Sequence, residues 1–272
     1  MTKSSQKKDS EFRIPNSEFK HPVLFVGAGP GDPELITVRG KKALEKADLV
    51  VYAGSLVPEA VLKWTRSEAE RINSASMHLA EIIAEIERAY ESGKRVVRLH
   101  TGDPSLYGAI FEQMAALQER SIPYAVIPGV TAAFAAAAAM GIEYTLPEIS
   151  QTLILTRMAG RTPVPQLENL SSLAQHQASM AIYLSISLVD EAAKILIDSY
   201  GPDGSCAVAY CVSQPEEKII FTRLKDLAQI VKVEGITRTA LIIVGKVLDV
   251  DPAKLEHRSK LYEKDFKHGY RK

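Results

Sequence analysis

From His21 onward the chain alternates two kinds of apolar pattern, and that alternation restricts the fold more than any other feature. The short apolar runs "PVLFVG", "DLVVYAG", "KRVVRLHTGD" and "PYAVIPG" read as strands. Between them, "ELITVRGKKALEKA", "MHLAEIIAEIERAYESG" and "SLYGAIFEQMAALQERS" carry the spacing of amphipathic helices. A β-α-β rhythm implies a mainly parallel sheet covered by helices on both faces. Around Glu148 the texture changes. "ISQTLILTRMAG", "ASMAIYLSIS", "GSCAVAYCVSQ", "EKIIFTRL" and "RTALIIVGKV" are rich in β-branched residues, and two of them are separated only by a short turn. These predict a second, mixed sheet. The expected protein is therefore α/β, with two domains over residues 21–148 and 149–249, a polar tail over 1–20 and a charged tail over 250–272. Two such domains create a cleft, a preferred place for small-molecule sites.

Composition narrows the function classes. At 272 residues with 46% hydrophobic content, the chain can bury a proper core. Lys and Arg total 33 and so do Asp and Glu, so there is no global basic excess to draw the protein to nucleic acid or anionic membrane. The opening "MTKSSQKKDSEFRIPNSEFKHP" is charged where a signal peptide is apolar, and no later run approaches spanning length; a cytoplasmic location is the expectation. Cys206 and Cys211 lie in the apolar run "CAVAYCV", which suits buried thiols better than a disulfide or a metal pair. Six scattered histidines offer no zinc spacing, so no protein metal site is expected.

The stretch "VGAGPGDPELIT" places three glycines within five residues directly after the first strand. Aligned to the dinucleotide fingerprint G-x-G-x-x-G it supplies Gly27 and Gly29, but Asp32 stands where the last glycine permits close helix packing. Pro30 removes an N–H that a pyrophosphate would use. The second strand ends "VVYAGS", with no acid to hold a ribose. A dinucleotide site is disfavoured; a rigid turn holding the backbone close to a ligand with few or no phosphates fits, and a plain glycine-rich turn is the alternative.

Ligands of parallel α/β sheets gather at the carboxyl ends of the strands, so the other loops on that edge belong to the same reading. "HTGDPSLYG" follows one strand and "PGVTAAFAAAAAMG" another. Gly102 allows unusual backbone angles, Pro104 fixes the chain, and Asp103 and Ser105 suit either a turn or a ligand contact. Thr131 is placed to cap a helix whose start is nearly all alanine. Ala135 to Ala139 read as close packing, whereas Ala132 leaves room for a flat ring beside free helix N–H groups.

In this order and spacing, "VGAGPGDPELIT", "GDPSLYG" and "PGVTAA" resemble the signatures of the tetrapyrrole (corrin and porphyrin) methyltransferases, from about His21 to Asp249. The resemblance implies two α/β domains that hold S-adenosylmethionine in their cleft and release S-adenosylhomocysteine. Within the family, "VVYAGSLVPEAVL", "INSASMHLAEI" and "TRMAGRTPVP" are similar to the branch that methylates C-11 of a precorrin-4-level macrocycle, with or without cobalt, on the way to cobalamin. Siblings usually show "YD" and often "GGDP" where this chain has Tyr52-Ala53 and Thr101-Gly102-Asp103-Pro104, which points to the same branch. Carried over by motif, the cofactor contacts are Pro30, Thr101, Gly102, Asp103, Leu106, Tyr107, Thr131 and Ala132. The second domain adds Leu184, Ala209, Tyr210, Thr239 and Ala240 by looser matches; Leu184 and Ala240 also suit a core role. A homodimer is implied too.

The implied reaction moves a methyl group from a sulfonium to a ring carbon. It needs no protein nucleophile, and holding two reactants in line supplies on the order of 7 to 11 kcal/mol. Asp103 and Tyr107 are the candidate bases, with Asp103 alternatively only orienting the loop. The substrate's acetates and propionates call for cations; Arg39, Arg157 and Arg161 are the candidates, since guanidinium grips carboxylate bidentately. The competing readings are a methylase acting at another ring carbon, a nicotinamide-dependent oxidoreductase, and a binding module without turnover.

Overall fold

The computed structural model describes residues 21–254, 259, 264–267 and 269–271. The expected tail over 1–20, and the parts of the expected tail over 250–272 at 255–258, 260–263, 268 and 272, lie outside them. The chain divides into two compact units: the first holds the described residues up to Gly29 together with Pro33–Gly129, and the second holds Pro30–Asp32 and the described residues from Val130 onward.

The first unit runs β1 (Val23–Gly27), α1 (Val38–Leu44), β2 (Leu49–Tyr52), β3 (Glu70–Asn73), α2 (Leu79–Glu91), β4 (Val96–His100), α3 (Ile110–Glu119) and β5 (Tyr124–Ile127). Its five strands lie in the order β3-β2-β4-β1-β5 and every pair is parallel. Alternate residues of each strand serve opposite faces. Val26, Val50, Val97 and Leu99 pack with Ala43 and Leu44 of α1 and with Val61 and Leu62. Val23, Phe25, Leu49, Val51 and Val96 pack with Ile82, Ile83 and Ile86 of α2 and with Ile110 and Leu117 of α3. Helix α2 begins where the sequence supplies a capping box: the His78 Nδ1 accepts the Glu81 N–H, and the Glu81 carboxylate accepts the His78 N–H at 2.9 Å.

Three elements differ from the sequence reading. Strand β3 is "ERIN", an edge strand without an apolar run, pinned in register by β2 alone. The helix expected from Ser105 begins only at Ile110, because Tyr107 and Ala109 take positive φ (57° and 48°), which no α-helix accommodates. The helix expected over Glu34 to Ala47 is split into a short turn of 3-10 helix at Pro33–Leu35 and α1, which starts after Thr37 because the Thr37 Oγ1 accepts the Gly40 N–H at 3.1 Å.

The second unit contains α4 (Ala132–Met140), β6 (Leu153–Arg157), α5 (Leu170–Ala174), β7 (Ser179–Tyr183), α6 (Val189–Tyr200), β8 (Ser205–Tyr210), β9 (Lys218–Arg223), α7 (Leu224–Val233) and β10 (Ala240–Val244). The sheet order is β6-β7-β10-β8-β9, with β6 and β7 parallel and the other pairs antiparallel, so it is mixed as the sequence predicts. Helices α5 to α7 cover one face through Leu170, Ala192, Leu196, Leu224 and Leu227. The other face receives α4, whose Ala133, Ala135 and Ala136 pack with Ala181, Ala209, Leu241 and Ile243. The change of texture at Glu148 thus precedes the first strand of this sheet, while the compact unit containing the sheet begins earlier, at Val130, because α4 belongs to its core. Ala138 and Ala139, read as close-packed, are exposed on the outer side of α4. Cys206 and Cys211 are buried free thiols.

The central strand β4 carries two buried polar side chains on its α2/α3 face. The Arg98 guanidinium donates to the Gln113 Oε1 at 2.9 Å and to the Val51 carbonyl at 3.2 Å, and burial lowers its pKa to about 10, so it stays charged at neutral pH. His100 stacks on Phe25 at 6.0 Å between ring centroids, and its Nε2 has no hydrogen-bond partner among the described residues. Burial, reinforced by the Arg98 charge, lowers the His100 pKa to about 3. The unfolded imidazole takes a proton near its ordinary 6.5, which the folded one refuses until about 3. The His100 contribution to stability is therefore complete above pH 6.5 and is lost as pH falls from 6.5 toward 3, with a slope of at most about 1.4 kcal/mol per pH unit. His100→Phe should remove much of that acid slope; urea unfolding between pH 4.5 and 7 measures it, and an unchanged slope would place the acid sensitivity elsewhere.

Candidate active site

The loops after β1, β4 and β5 leave three adjacent strands at one edge of the first sheet, and they meet main chain to main chain. Gly29 and Gly102 form an isolated bridge: the Gly102 N–H donates to the Gly29 carbonyl at 2.8 Å, and the Gly29 N–H to the Gly102 carbonyl at 3.2 Å. A Cβ on Gly27 would stand 2.6 Å from the Gly102 carbonyl oxygen and equally close to Gly129; a Cβ on Gly129 would stand 2.1 Å from that oxygen. No side chain of any kind fits there. Of the glycines that looked like a nucleotide cradle, Gly27 is thus required by the contact of the three loops, whereas a Cβ on Gly29, at φ 80°, would meet the Leu35 carbonyl oxygen of its own loop at 3.0 Å.

Asp103 locks the junction. Its Oδ2 accepts the Gly129 N–H at 2.9 Å, and its Oδ1 accepts the Ser105 N–H at 2.8 Å and the Ser105 hydroxyl. Burial works against its charge, but the bonds from the Ser105 hydroxyl, the Gly129 N–H and the Ser105 N–H outweigh it, and the carboxyl lies below the ordinary carboxylate range. With both oxygens engaged and its basicity reduced, Asp103 has the attributes of a clamp. Thr101 and Leu106 are half-buried on either side of it, and Tyr107, in the left-handed region, is exposed. Arg39 is exposed in the first turn of α1.

The remaining candidates lie in the second unit, and the register of its sheet brings most of them to one end. Arg157 pairs with Tyr183 across β6 and β7, Leu184 follows Tyr183, and Ala240 pairs with Tyr210 across β10 and β8, with Ala209 one residue further in. Three turns at this end hold residues at positive φ: Leu184 at 52°, Cys211 at 45° and Thr239 at 55°. For a β-branched threonine this is a strained conformation, of the kind that clusters at ligand sites. The Cys211 N–H donates to the Thr239 carbonyl at 2.9 Å and ties two of the turns together. Leu184, an alternative core residue by sequence, is 63% exposed, whereas Ala240 is buried.

Thr131 occupies the N-cap position of α4, but its hydroxyl does not cap the helix as the sequence suggests. It lies 2.7 Å from the hydroxyl of Tyr183, which itself accepts the Ala133 N–H at 3.0 Å. The Phe134 and Ala135 N–H groups donate to the Thr131 carbonyl. Of the first four N–H groups of α4, only that of Ala132 has no acceptor among the described residues. Within the same unit, the Pro30 carbonyl accepts from the Gln214 amide at 3.4 Å and the Asp32 N–H donates to the Ser213 hydroxyl at 2.9 Å. Arg157, expected on a substrate carboxylate, instead donates to the carbonyls of Met158, Thr162 and Pro163 and so shapes the 158–163 loop, on which Arg161 is exposed. Sequence reasoning missed Tyr183 and the buried Ser185, whose hydroxyl accepts the Met158 N–H and donates to the Tyr183 carbonyl. No local pattern marks either residue, since both act on partners remote in sequence.

The strained turns and the alanine helix start of the second unit suit a ligand bound through main-chain groups and small side chains. Residues 22–228 match the Tetrapyrrole (Corrin/Porphyrin) Methylases, and the chain belongs to that family. It is 54% identical over 251 residues to the cobalt-precorrin-4 C(11)-methyltransferase of Methanocaldococcus jannaschii, covering 92% of this chain and 96% of that protein. It is 44% identical over 249 residues to the precorrin-4 C(11)-methyltransferase of Pseudomonas aeruginosa, covering 92% and 98%. Among solved structures it resembles the cobalt precorrin-4 methyltransferase CbiF, with a TM-score of 0.83 and 43% identity over 87% of this chain and 99% of that one. It also resembles the uroporphyrin-III C-methyl transferase of Thermus thermophilus complexed with S-adenosylhomocysteine, with a TM-score of 0.66 and 26% identity over 84% and 93%.

Gly129→Ala should destabilise the protein by about 3 kcal/mol or more, because backbone on every side leaves the new methyl nowhere to go. Gly141→Ala, where φ is +67° and nothing lies within 4 Å of the added Cβ, should lose only about 1 kcal/mol. Denaturant unfolding of the pair compares the cost of the close approach at Gly129 with that of the backbone angle alone at Gly141. Asp103→Asn should lose about 1–3 kcal/mol of stability, since its amide nitrogen would face donors; a variant of unchanged stability that lost all turnover would instead mark Asp103 as the base.

Proposed function

We propose that this protein transfers a methyl group from S-adenosylmethionine to C-11 of precorrin-4 or cobalt-precorrin-4, in cobalamin biosynthesis. The observation that carries the reading is 54% identity to a cobalt-precorrin-4 C(11)-methyltransferase along nearly the whole of both chains. The stretches "VVYAGSLVPEAVL", "INSASMHLAEI" and "TRMAGRTPVP", similar to that branch, support it independently of the shared glycine motifs.

The residues present fit such a cofactor by their chemistry. The Ala132 N–H and the main chain of the strained turns offer bonds to a carboxylate, an ammonium and an adenine without a phosphate site. Pro30, Thr101, Gly102, Asp103, Leu106, Tyr107, Thr131, Ala132, Leu184, Ala209, Tyr210, Thr239 and Ala240 are assigned to hold it. When bound, S-adenosylmethionine supplies the methyl group as a sulfonium, an electrophile that needs no nucleophile from the protein. The task of this chain is alignment. Asp103 keeps the β1, β4 and β5 loops in register and orients Tyr107 through the loop they share. Tyr107 is the remaining candidate for accepting a proton from the substrate. Arg39 and Arg161 are assigned to the carboxylates of the macrocycle, and Arg157 to the shape of the loop that presents Arg161. The working form is taken to be a cytoplasmic homodimer, on the strength of the family resemblance.

Incubation with precorrin-4 or its cobalt form and isotope-labelled S-adenosylmethionine should give one added methyl, located at C-11 by mass spectrometry with isotope tracing. A methyl at another carbon would overturn the branch assignment, and absence of adenosylhomocysteine binding would overturn the class. Arg161→Ala should raise the KM for the tetrapyrrole about tenfold with kcat little changed, as loss of a carboxylate contact that is equal in ground and transition states.

A further inference from the structure

Tyr183 ends β7, and its hydroxyl is the hub of the α4 entrance. It meets the Thr131 hydroxyl at 2.7 Å and accepts the Ala133 N–H at 3.0 Å. The hydroxyl of Tyr144 donates at 2.8 Å to the carbonyl of the same alanine. Ala133 is fully buried, so its N–H and its carbonyl are each held by a phenol, one from a strand 50 residues away and one from the loop after the helix.

A threonine at an N-cap ordinarily satisfies a first-turn N–H itself. Here that bond is made by the sheet. A local cap would fix α4 only to its own preceding residue. The bond from Tyr183 fixes the helix start to the sheet end that carries Arg157, Leu184, Ala240 and Tyr210. Tyr183 is itself held, because the buried Ser185 hydroxyl donates to its carbonyl at 2.7 Å and anchors the strained turn at Leu184. Burial raises the Tyr183 phenol, the bonds to Thr131 and Ala133 only partly offset that, and the hydroxyl keeps its proton across the neutral range.

We infer that Tyr183 is a positioning residue for the methyl-donor site: its hydroxyl fixes Thr131 and Ala132 in the place from which, on the function proposed above, they contact S-adenosylmethionine. Tyr144 differs in kind. It bonds a carbonyl that the i+4 N–H of the helix also serves, and it is not bonded to Thr131, so it contributes to stability without setting the donor site.

Calorimetric titration with adenosylhomocysteine, thermal unfolding and steady-state kinetics of wild type, Tyr183→Phe, Tyr144→Phe and Thr131→Val test this. Tyr183→Phe should weaken adenosylhomocysteine binding and raise the KM for S-adenosylmethionine by about tenfold each, with kcat within about twofold and the tetrapyrrole KM unchanged. Tyr144→Phe should lower the unfolding midpoint and leave adenosylhomocysteine affinity within about twofold. Adding Tyr183→Phe to Thr131→Val should weaken binding little beyond Thr131→Val alone, since the two hydroxyls act as one unit. Affinity unchanged in Tyr183→Phe, or lost equally in both tyrosine variants, overturns the inference while leaving the proposed function standing. If Tyr183→Phe does not fold, unchanged affinity in Thr131→Val overturns it. Failure of wild type to bind adenosylhomocysteine overturns the proposed function, and this inference with it.

Discussion

The organising contact of this protein is the meeting of three backbone loops at Gly27, Gly29, Gly102 and Gly129. Peptide planes approach there more closely than any Cβ permits, and the Asp103 carboxylate closes the gap by accepting from the far loop. Because the contact is main chain on main chain, the loops after β1, β4 and β5 cannot be displaced singly. The chain that follows, including the left-handed Tyr107, therefore inherits a fixed position from the sheet, as positioning of a reactant demands.

The second unit reaches a similar end by different means. Three turns at one end of its sheet hold Leu184, Cys211 and Thr239 in conformations that cost about 1–3 kcal/mol each. Such strain persists only where the surroundings over-determine it. Here the adjoining strands β7, β8 and β10 are buried along most of their length, and the bond from Cys211 to Thr239 joins two of the turns. The alanine run of α4 packs against this sheet with small side chains, so the helix start lies close enough for a strand phenol to cap it.

Much of this was legible in the sequence. Unbroken apolar runs marked the strands buried on both faces, and β-branched runs marked the second sheet, because strand burial imposes its pattern over several neighbouring residues. What escaped was set by single contacts between distant segments. Strand β3, "ERIN", owes its conformation to the edge of β2, and nothing in its own four residues announces it. The late start of α3 follows from two residues at positive φ in a loop closed by Gly108, where a Cβ would stand 2.1 Å from the Pro104 carbonyl oxygen; the helical spacing of apolar residues continues through that loop all the same.

The candidate site divides in the same way. Its candidates were named from the motifs, which the amino-acid order states directly: the glycines, Asp103, Thr131 and the arginines. Their roles were decided only by the tertiary structure. Asp103 became a clamp because a glycine N–H from another loop lies within bonding distance, Arg157 became a loop brace because three carbonyls curl round it, and Thr131 yielded its capping role to Tyr183. By itself the sequence determined the two sheets, the edge on which the motifs gather and the family. Which hydrogen-bonding group meets which depends on distances between segments that only folding brings together, and no local pattern encodes them.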